Sequence, residues 1–230
     1  TVTAITFSPC QETIVRPFDA EAQRLKDRLL SMGELVEKQI VHAKHALLES
    51  DKALANKIIA NDHKVNAMDV EIDEAALQLL ALHNPTARDL RSITTAMKIA
   101  TELERISDLA ENICERVIEL ADEPKLKPYT DISQMAESSI HMVKGSLQSF
   151  VNEDSTLARQ VCDNDDLVDN LTEQVFRELL SFMLEEPKSI TRGIRVMFVA
   201  KYIERIADHA TNIAELVVYL VEGKIIRHTT

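Results

Sequence analysis

The chain has 230 residues, a formal net charge of −12, four glycines, six prolines and no tryptophan. It is long enough to bury a core without disulfide or metal staples, and its wealth of Ala, Leu, Ile, Glu, Lys and Arg favours helices over strands. With no basic arm it excludes direct nucleic-acid binding through phosphates, and its acidity favours multivalent cations or a basic partner surface over an anionic membrane.

Residues 1–16 mix Thr, Ile, Pro and Cys without period and read as a tail. They lack the charged start and long apolar run of a signal peptide, and no segment reaches the ~18–20 apolar residues of a membrane span. Pro17-Phe18-Asp19 marks a helix start with Asp19 as N-cap. From there to about Ser50, Leu25, Leu29, Met32, Val36, Ile40, Ala43 and Leu47 recur at helical spacing. Ser50-Asp51 caps a second helix over about 52–82, which ends at His83-Asn84-Pro85, and a third covers about 86–121. Residues 122–128, with two prolines and four charges, form the linker. The second half repeats the plan, with helices over about 129–152, 155–185 and 188–222. Glu186-Pro187 separates the last two, and Gly223 stops the chain's final helix.

The expected fold is therefore all-α: two tandem antiparallel three-helix bundles related by internal duplication. The bundles span 17–123 and 128–223. The duplication is clearest in the third helix of each half. Residues 100–117 read ATELERISDLAENICERV and residues 200–217 read AKYIERIADHATNIAELV, with ten of 18 positions identical at an offset of 100. A shared helical register alone would repeat only apolar positions. Here Glu104, Asp108 and Asn112 repeat as Glu204, Asp208 and Asn212.

At 100° per residue, Glu104, Asp108, Glu111 and Glu115 fall within roughly 60° of arc, opposite Leu103, Ile106, Ala110, Ile113 and Val117. This places the acids on the outside of the bundle. Carboxylates one turn apart repel unless something neutralises them, and their hard oxygens suit Mg, Ca, Mn or Fe. Further ligands would come from the facing helix: Asp62, Asn66 and Asp69 in half one, and Asp165, Asp166 and Asp169 in half two. Asn112 and Asn212 are either neutral ligands or helix–helix hydrogen bonds. The bland reading is a solvated acidic face.

No His stands three residues after a Glu, so the motif of buried di-iron bundles is missing. There is no phosphate-binding glycine loop, no G-x-S-x-G, and the three cysteines form no C-x-x-C pair. A carboxylate-bridged metalloenzyme and a metal-free helical structural or adaptor protein stay open as alternatives.

Two three-helix repeats, each with E-x-x-x-D in the setting ERI-x-D…NI, resemble the PhoU family of bacterial phosphate-signalling accessory proteins. Arg16-Pro17-Phe18-Asp19 and Met32-Gly33 agree with it, and the likeness covers about residues 16–223. The resemblance implies a cytoplasmic, dimeric, non-enzymatic regulator. It would link the Pst phosphate ABC transporter, with its PstB-type ATPase, to a PhoR-type sensor histidine kinase. When phosphate is plentiful it would repress the starvation response. It also implies iron- or zinc-type metal ions at Glu104, Asp108, Glu204 and Asp208, with Asp62, Asp69, Asp165 and Asp169 as weaker candidates. Asp69 has Thr172 as its counterpart, which departs from a strict repeat.

Overall fold

The computed structural model describes residues 17–126 and 129–226. The N-terminal tail with Cys10 and Arg16, and Lys127-Pro128 of the linker, lie outside the described residues. These residues form eight α-helices and no strand: α1 Pro17–Glu49, α2 Lys52–Ile59, α3 His63–Leu82, α4 Ala87–Leu120, α5 Thr130–Asn152, α6 Ser155–Asp163, α7 Asp165–Glu185 and α8 Ile190–Glu222. A single 3-10 turn, Pro187–Ser189, follows the Glu186-Pro187 break. Pro17, not Asp19, opens α1, which suits proline's fixed φ and missing N–H at a first helical position.

The middle helix expected in each half is broken in two. In half one the break covers residues 60–62, and in half two it falls at Asn164. Both coincide with an Asn-Asp dipeptide, whose short polar side chains compete for backbone groups. Asn61 Nδ2 donates to the Lys57 carbonyl at 2.6 Å. Asp62 keeps right-handed helical angles, so the chain kinks without leaving the helix path. The flanking caps are Asp51, whose carboxylate accepts from Leu54 N–H, and Asp154, which accepts from Thr156 and Leu157 N–H. Each follows a residue at positive φ, Ser50 at 56° and Glu153 at 50°. Neither is glycine, a strain of about 1 kcal/mol each. In both halves the next N–H closes the helix end, Asp51 onto Ala46 and Asp154 onto Ser149, each at 2.9 Å.

The halves do not stand apart on the linker. α4 packs on α8, α1 on α5, and each of these on its own half's partner, so α1, α4, α8 and α5 close a central four-helix ring. The kinked pairs α2–α3 and α6–α7 flank it. The central contacts are antiparallel. Along the α4–α8 seam, Glu119 meets Arg195 at 3.1 Å and Glu102 meets His209 at 2.6 Å. Between α1 and α5, Lys26 donates to the Val151 carbonyl at 2.8 Å and Lys44 pairs with Glu137 at 3.0 Å. Both pairings fit an approximate twofold between the repeats. Gly33 allows α1 its close approach to α5, since a Cβ there would lie 2.5 Å from Leu147 Cδ1. One apolar core runs through both halves. Met32, Leu103, Ile106, Met135 and Ile206 are fully buried, each stabilising by about 1.5–3 kcal/mol.

Candidate metal clusters between the kinked helices and the spine

In half one the kink drives Asp62 against α4. Asp62, Asp108 and Glu111 each bring a carboxylate oxygen within 4.8 Å of the others. Asp62 is held there by a polar relay. Ser107 Oγ lies 2.7 Å from Asp62 Oδ1 and 2.7 Å from the Gln39 amide oxygen, all buried. One hydroxyl proton cannot serve two acceptors, and Gln39 Nε2 is left without a partner. Turning the amide over gives a consistent chain: Gln39 N–H donates to Ser107, and Ser107 O–H donates to Asp62. Asn66 Nδ2 donates to the other Asp62 oxygen at 3.0 Å.

The wheel is right about which acids share a face but not about where that face lies. Glu104, Asp108 and Glu111 are half-buried, because α2–α3 lies over them; only Glu115 is exposed. Burial raises the Glu104 carboxyl above its ordinary range, and Asp108, Asp69 and Asp62 add to the effect. Burial also raises Asp108, with Asp62 beside it, and Glu111, with Asp62, Glu115 and Asp108. Asp69 is raised by burial and by Asp73. Asp69 Oδ1 and Asp73 Oδ1 are themselves buried without a hydrogen-bond partner. Crowded, partly dehydrated carboxylates with unsatisfied oxygens and no histidine form a donor set that fits a hard cation.

Half two holds Asp165, Asp169, Glu204 and Asp208 within electrostatic reach of one another, but among the described residues only the half-one trio brings three ligand atoms within 4.8 Å. Asp165 is pushed up to about 6, first by burial and then by Asp208, Asp169, Asp166 and Glu204. Its Oδ1 is buried and unpartnered. The residues matching Ser107 and Gln39 are Ala207 and Met142, so no relay reaches Asp165. Lys201 reaches into the cluster and pairs with Glu204. Its counterpart, Thr101, instead bonds its own helix at the Met97 carbonyl, 3.3 Å away. Asp166, Asp169 and Asp208 are all exposed at the rim, and desolvation by the surrounding cluster, Glu204 and Asp169 raise the Asp208 carboxyl.

The paired asparagines each spend an amide N–H on the protein itself. Asn112 Nδ2 donates to the Asp108 carbonyl on its own helix at 2.8 Å. Asn212 Nδ2 donates across the seam to Glu102 at 3.1 Å, which makes it a helix–helix bond. Glu102 and His209 escaped the sequence reading because neither repeats: their counterparts are Tyr202 and Leu109. Burial alone would raise the Glu102 carboxyl. Hydrogen bonds from His209 and Asn212 and the charge of Arg105 outweigh it and hold the carboxyl below its ordinary value. Cys114 and Cys162 are free, and burial pushes the Cys114 thiol up to about 12, so it is inert as a nucleophile.

The model of the PhoU domain matches twice, at residues 29–117 and 132–217. The chain is 43% identical over 208 residues to the "Phosphate-specific transport system accessory protein PhoU homolog" of Aquifex aeolicus, covering 90% of this chain and 94% of that one. It is 39% identical over 216 residues to the protein of the same description from Pseudomonas putida, covering 94% and 84%. The crystal structure of PhoU from Pseudomonas aeruginosa superposes with a TM-score of 0.87 at 38% identity, covering 90% of this chain and 100% of that one. The phosphate transport system regulatory protein PhoU from Streptococcus pneumoniae gives 0.86 at 29% identity, covering 91% and 99%. With both repeats matched and nearly the whole length aligned, the chain belongs to the PhoU family.

Proposed function

We infer that this protein is a non-enzymatic accessory regulator of phosphate uptake and phosphate signalling. It acts as a homodimer in the cytoplasm. It couples a Pst-type phosphate ABC transporter, through its PstB-type ATPase, to a PhoR-type sensor histidine kinase, and represses the starvation response when phosphate is plentiful. The observation that carries this reading is the end-to-end match to relatives named as accessory proteins of a phosphate-specific transport system. Among the described residues no helix is long and apolar enough to cross a membrane, so contact with a membrane transporter would run through a partner surface.

Metal ions belong to the same reading. Asp62, Asp108 and Glu111 would hold one in half one, with Glu104 and Asp69 beside them. Asp165, Glu204 and Asp208 would hold another in half two, with Asp169 at the rim. A bound cation neutralises the crowded carboxylates and ties each kink to the spine helix. The family suggests iron or zinc; an all-oxygen donor set also accepts Mg, Ca or Mn.

Changing Glu104, Asp108, Glu204 and Asp208 together to alanine tests the site. Metal content of protein purified without chelator should fall to background, and partner affinity should fall with it. Unchanged values for both would refute the site. Co-purification of transporter and kinase subunits from phosphate-rich but not phosphate-starved cells tests the coupling; no phosphate dependence would refute it.

A further inference from the structure

The two repeats differ on the outer face of their last two helices. In half two, Val175 and Phe176 of α7 and Ile194, Met197 and Phe198 of α8 line an almost wholly apolar groove of about 260 Å³. Phe176, Ile194 and Phe198 are 49%, 43% and 48% exposed, and Leu180, at 43%, extends the strip along α7. The matching residues of half one are Asp73 for Phe176, Thr94 for Ile194 and Lys98 for Phe198. The fold therefore does not require large apolar side chains there. Exposing them costs solubility, and a contiguous apolar strip of this kind marks an interaction surface.

The groove does not end in open solvent. Thr172 and Lys201 form its far end. Thr172 lies one helical turn from Asp169, and Lys201 pairs with Glu204, so the strip runs directly into the acidic cluster. From Phe176 back to Asp169 and Asp166 is seven to ten residues along α7, roughly 10–15 Å at 1.5 Å per residue. A second copy of this chain, at net charge −12, would bring like charge to that end. The chemistry calls for the opposite sign.

We propose that the α7–α8 groove of half two receives an amphipathic partner helix whose apolar anchors lie on Phe176, Ile194 and Phe198 and whose Lys or Arg residues, two to three turns further along, meet Asp169 and Asp166 at the exposed rim of the acidic cluster. The proposal rests on the adaptor reading above and supplies the class of surface it recognises. Apolar anchors give the affinity in such grooves, and the charged end sets direction and register. Half one, polar at the same positions, does not compete for this helix.

The probe is a fluorescein-labelled 18-residue helical peptide with Leu and Phe along one face of its first half and four Lys or Arg in its second. Binding is read by anisotropy at low and moderate salt. The wild type binds, and F198D and I194D each weaken binding at least tenfold. F176S does so as well, without adding charge. K98D, the matching change in half one, leaves binding unaltered. A peptide with its basic residues changed to Glu binds at least tenfold more weakly, and salt weakens the basic peptide. All four altered side chains are exposed, and matched thermal melts check their folding. No binding by wild type, or equal binding by F198D and wild type, overturns the proposal. So does a wild-type dimer that F198D converts to monomer in sedimentation, since a second copy then fills the groove. If peptide binding fails while phosphate-dependent co-purification persists, only the groove assignment falls; the reverse pattern strikes the adaptor reading alone.

Discussion

Replacing His209 with leucine, the residue at the matching position 109, removes the main partner of a carboxylate buried in the α4–α8 seam. The side chains of His209 and Glu102 are 10% and 11% exposed and meet at 2.6 Å. Stripping one partner from a buried pair costs about 3–5 kcal/mol, because the other charge stays desolvated. Glu102 has an escape, since it can take up a proton. From its ordinary 4.5, protonation at pH 7.5 costs about 4 kcal/mol, at 1.36 kcal/mol per pH unit. The penalty for His209→Leu is thus capped at about 3–4 kcal/mol at pH 7.5, lowering Tm by roughly 6–16 °C in a chain of this size. At pH 5.5 the cap falls to about 1.4 kcal/mol. Removing both polar partners, in Glu102→Leu with His209→Leu, restores stability to within about 1 kcal/mol of wild type, as apolar replacement of buried pairs commonly does. Urea unfolding followed by far-ultraviolet circular dichroism at both pH values measures all three proteins. A single-variant loss below about 1 kcal/mol at pH 7.5, no relief at pH 5.5, or a double variant no better than His209→Leu would each refute the argument.

Ser107→Ala leaves Asp62 Oδ1 without its donor. It should cost about 1–2 kcal/mol in urea unfolding and weaken Mn²⁺ binding at the half-one cluster roughly 10- to 100-fold by calorimetry. Lys201→Thr, which installs the half-one residue, frees Glu204 and should raise Mn²⁺ affinity at the half-two cluster at least ~10-fold, the effect of removing a nearby positive charge. The metal-free protein should also gain stability on mild acidification. Asp165 has a folded value of about 6 against an ordinary 3.8, so the folded state takes up its proton first as pH falls through 6. Its Tm should therefore be higher at pH 5.5 than at 7.5, and saturating Mn²⁺ should reverse that order. Glu102 works the other way: its lowered value contributes stability above its ordinary 4.5 that is lost at more acid pH, which sets the lower edge of the window.

The helices and their duplication were legible because Leu25 through Leu47 and their later equivalents keep a 3.6-residue rhythm, and because polar Glu104 and Asp108 recur as Glu204 and Asp208. Asn61-Asp62 and Asn164-Asp165 were equally visible as a repeat. Their effect was not, since an Asn-Asp pair that keeps helical angles leaves the apolar period nearly intact while turning the helix. That turn covers Glu104 and Asp108 and changes an outer face into a half-buried cleft. The seam was hidden for a different reason. α4 buries Leu103 and Ile106 but also Ile99 and Leu109, so it is apolar on more than one side, and a helical wheel does not say whether the extra side meets its own bundle or the next. Glu102, sitting in the charged run TELER, carried no sign that it would be buried. Its meaning depends on His209, 107 positions away.

That one pair bears on how the protein came to be a single chain. The approximate twofold through the α4–α8 seam is the symmetry of a dimer, and a lone repeat has the length and the apolar faces to form one. Two copies of the present half one could no longer do so cleanly, because each Glu102 would face Leu109 and be buried without a base. Two copies of half two would set His209 against Tyr202, with no carboxylate between them. The acid resides in one repeat and the base in the other, so each half now completes only its opposite. Fragments of the two halves, mixed, should associate with each other in preference to themselves. A seam built of unlike parts favours keeping the two repeats together on one chain.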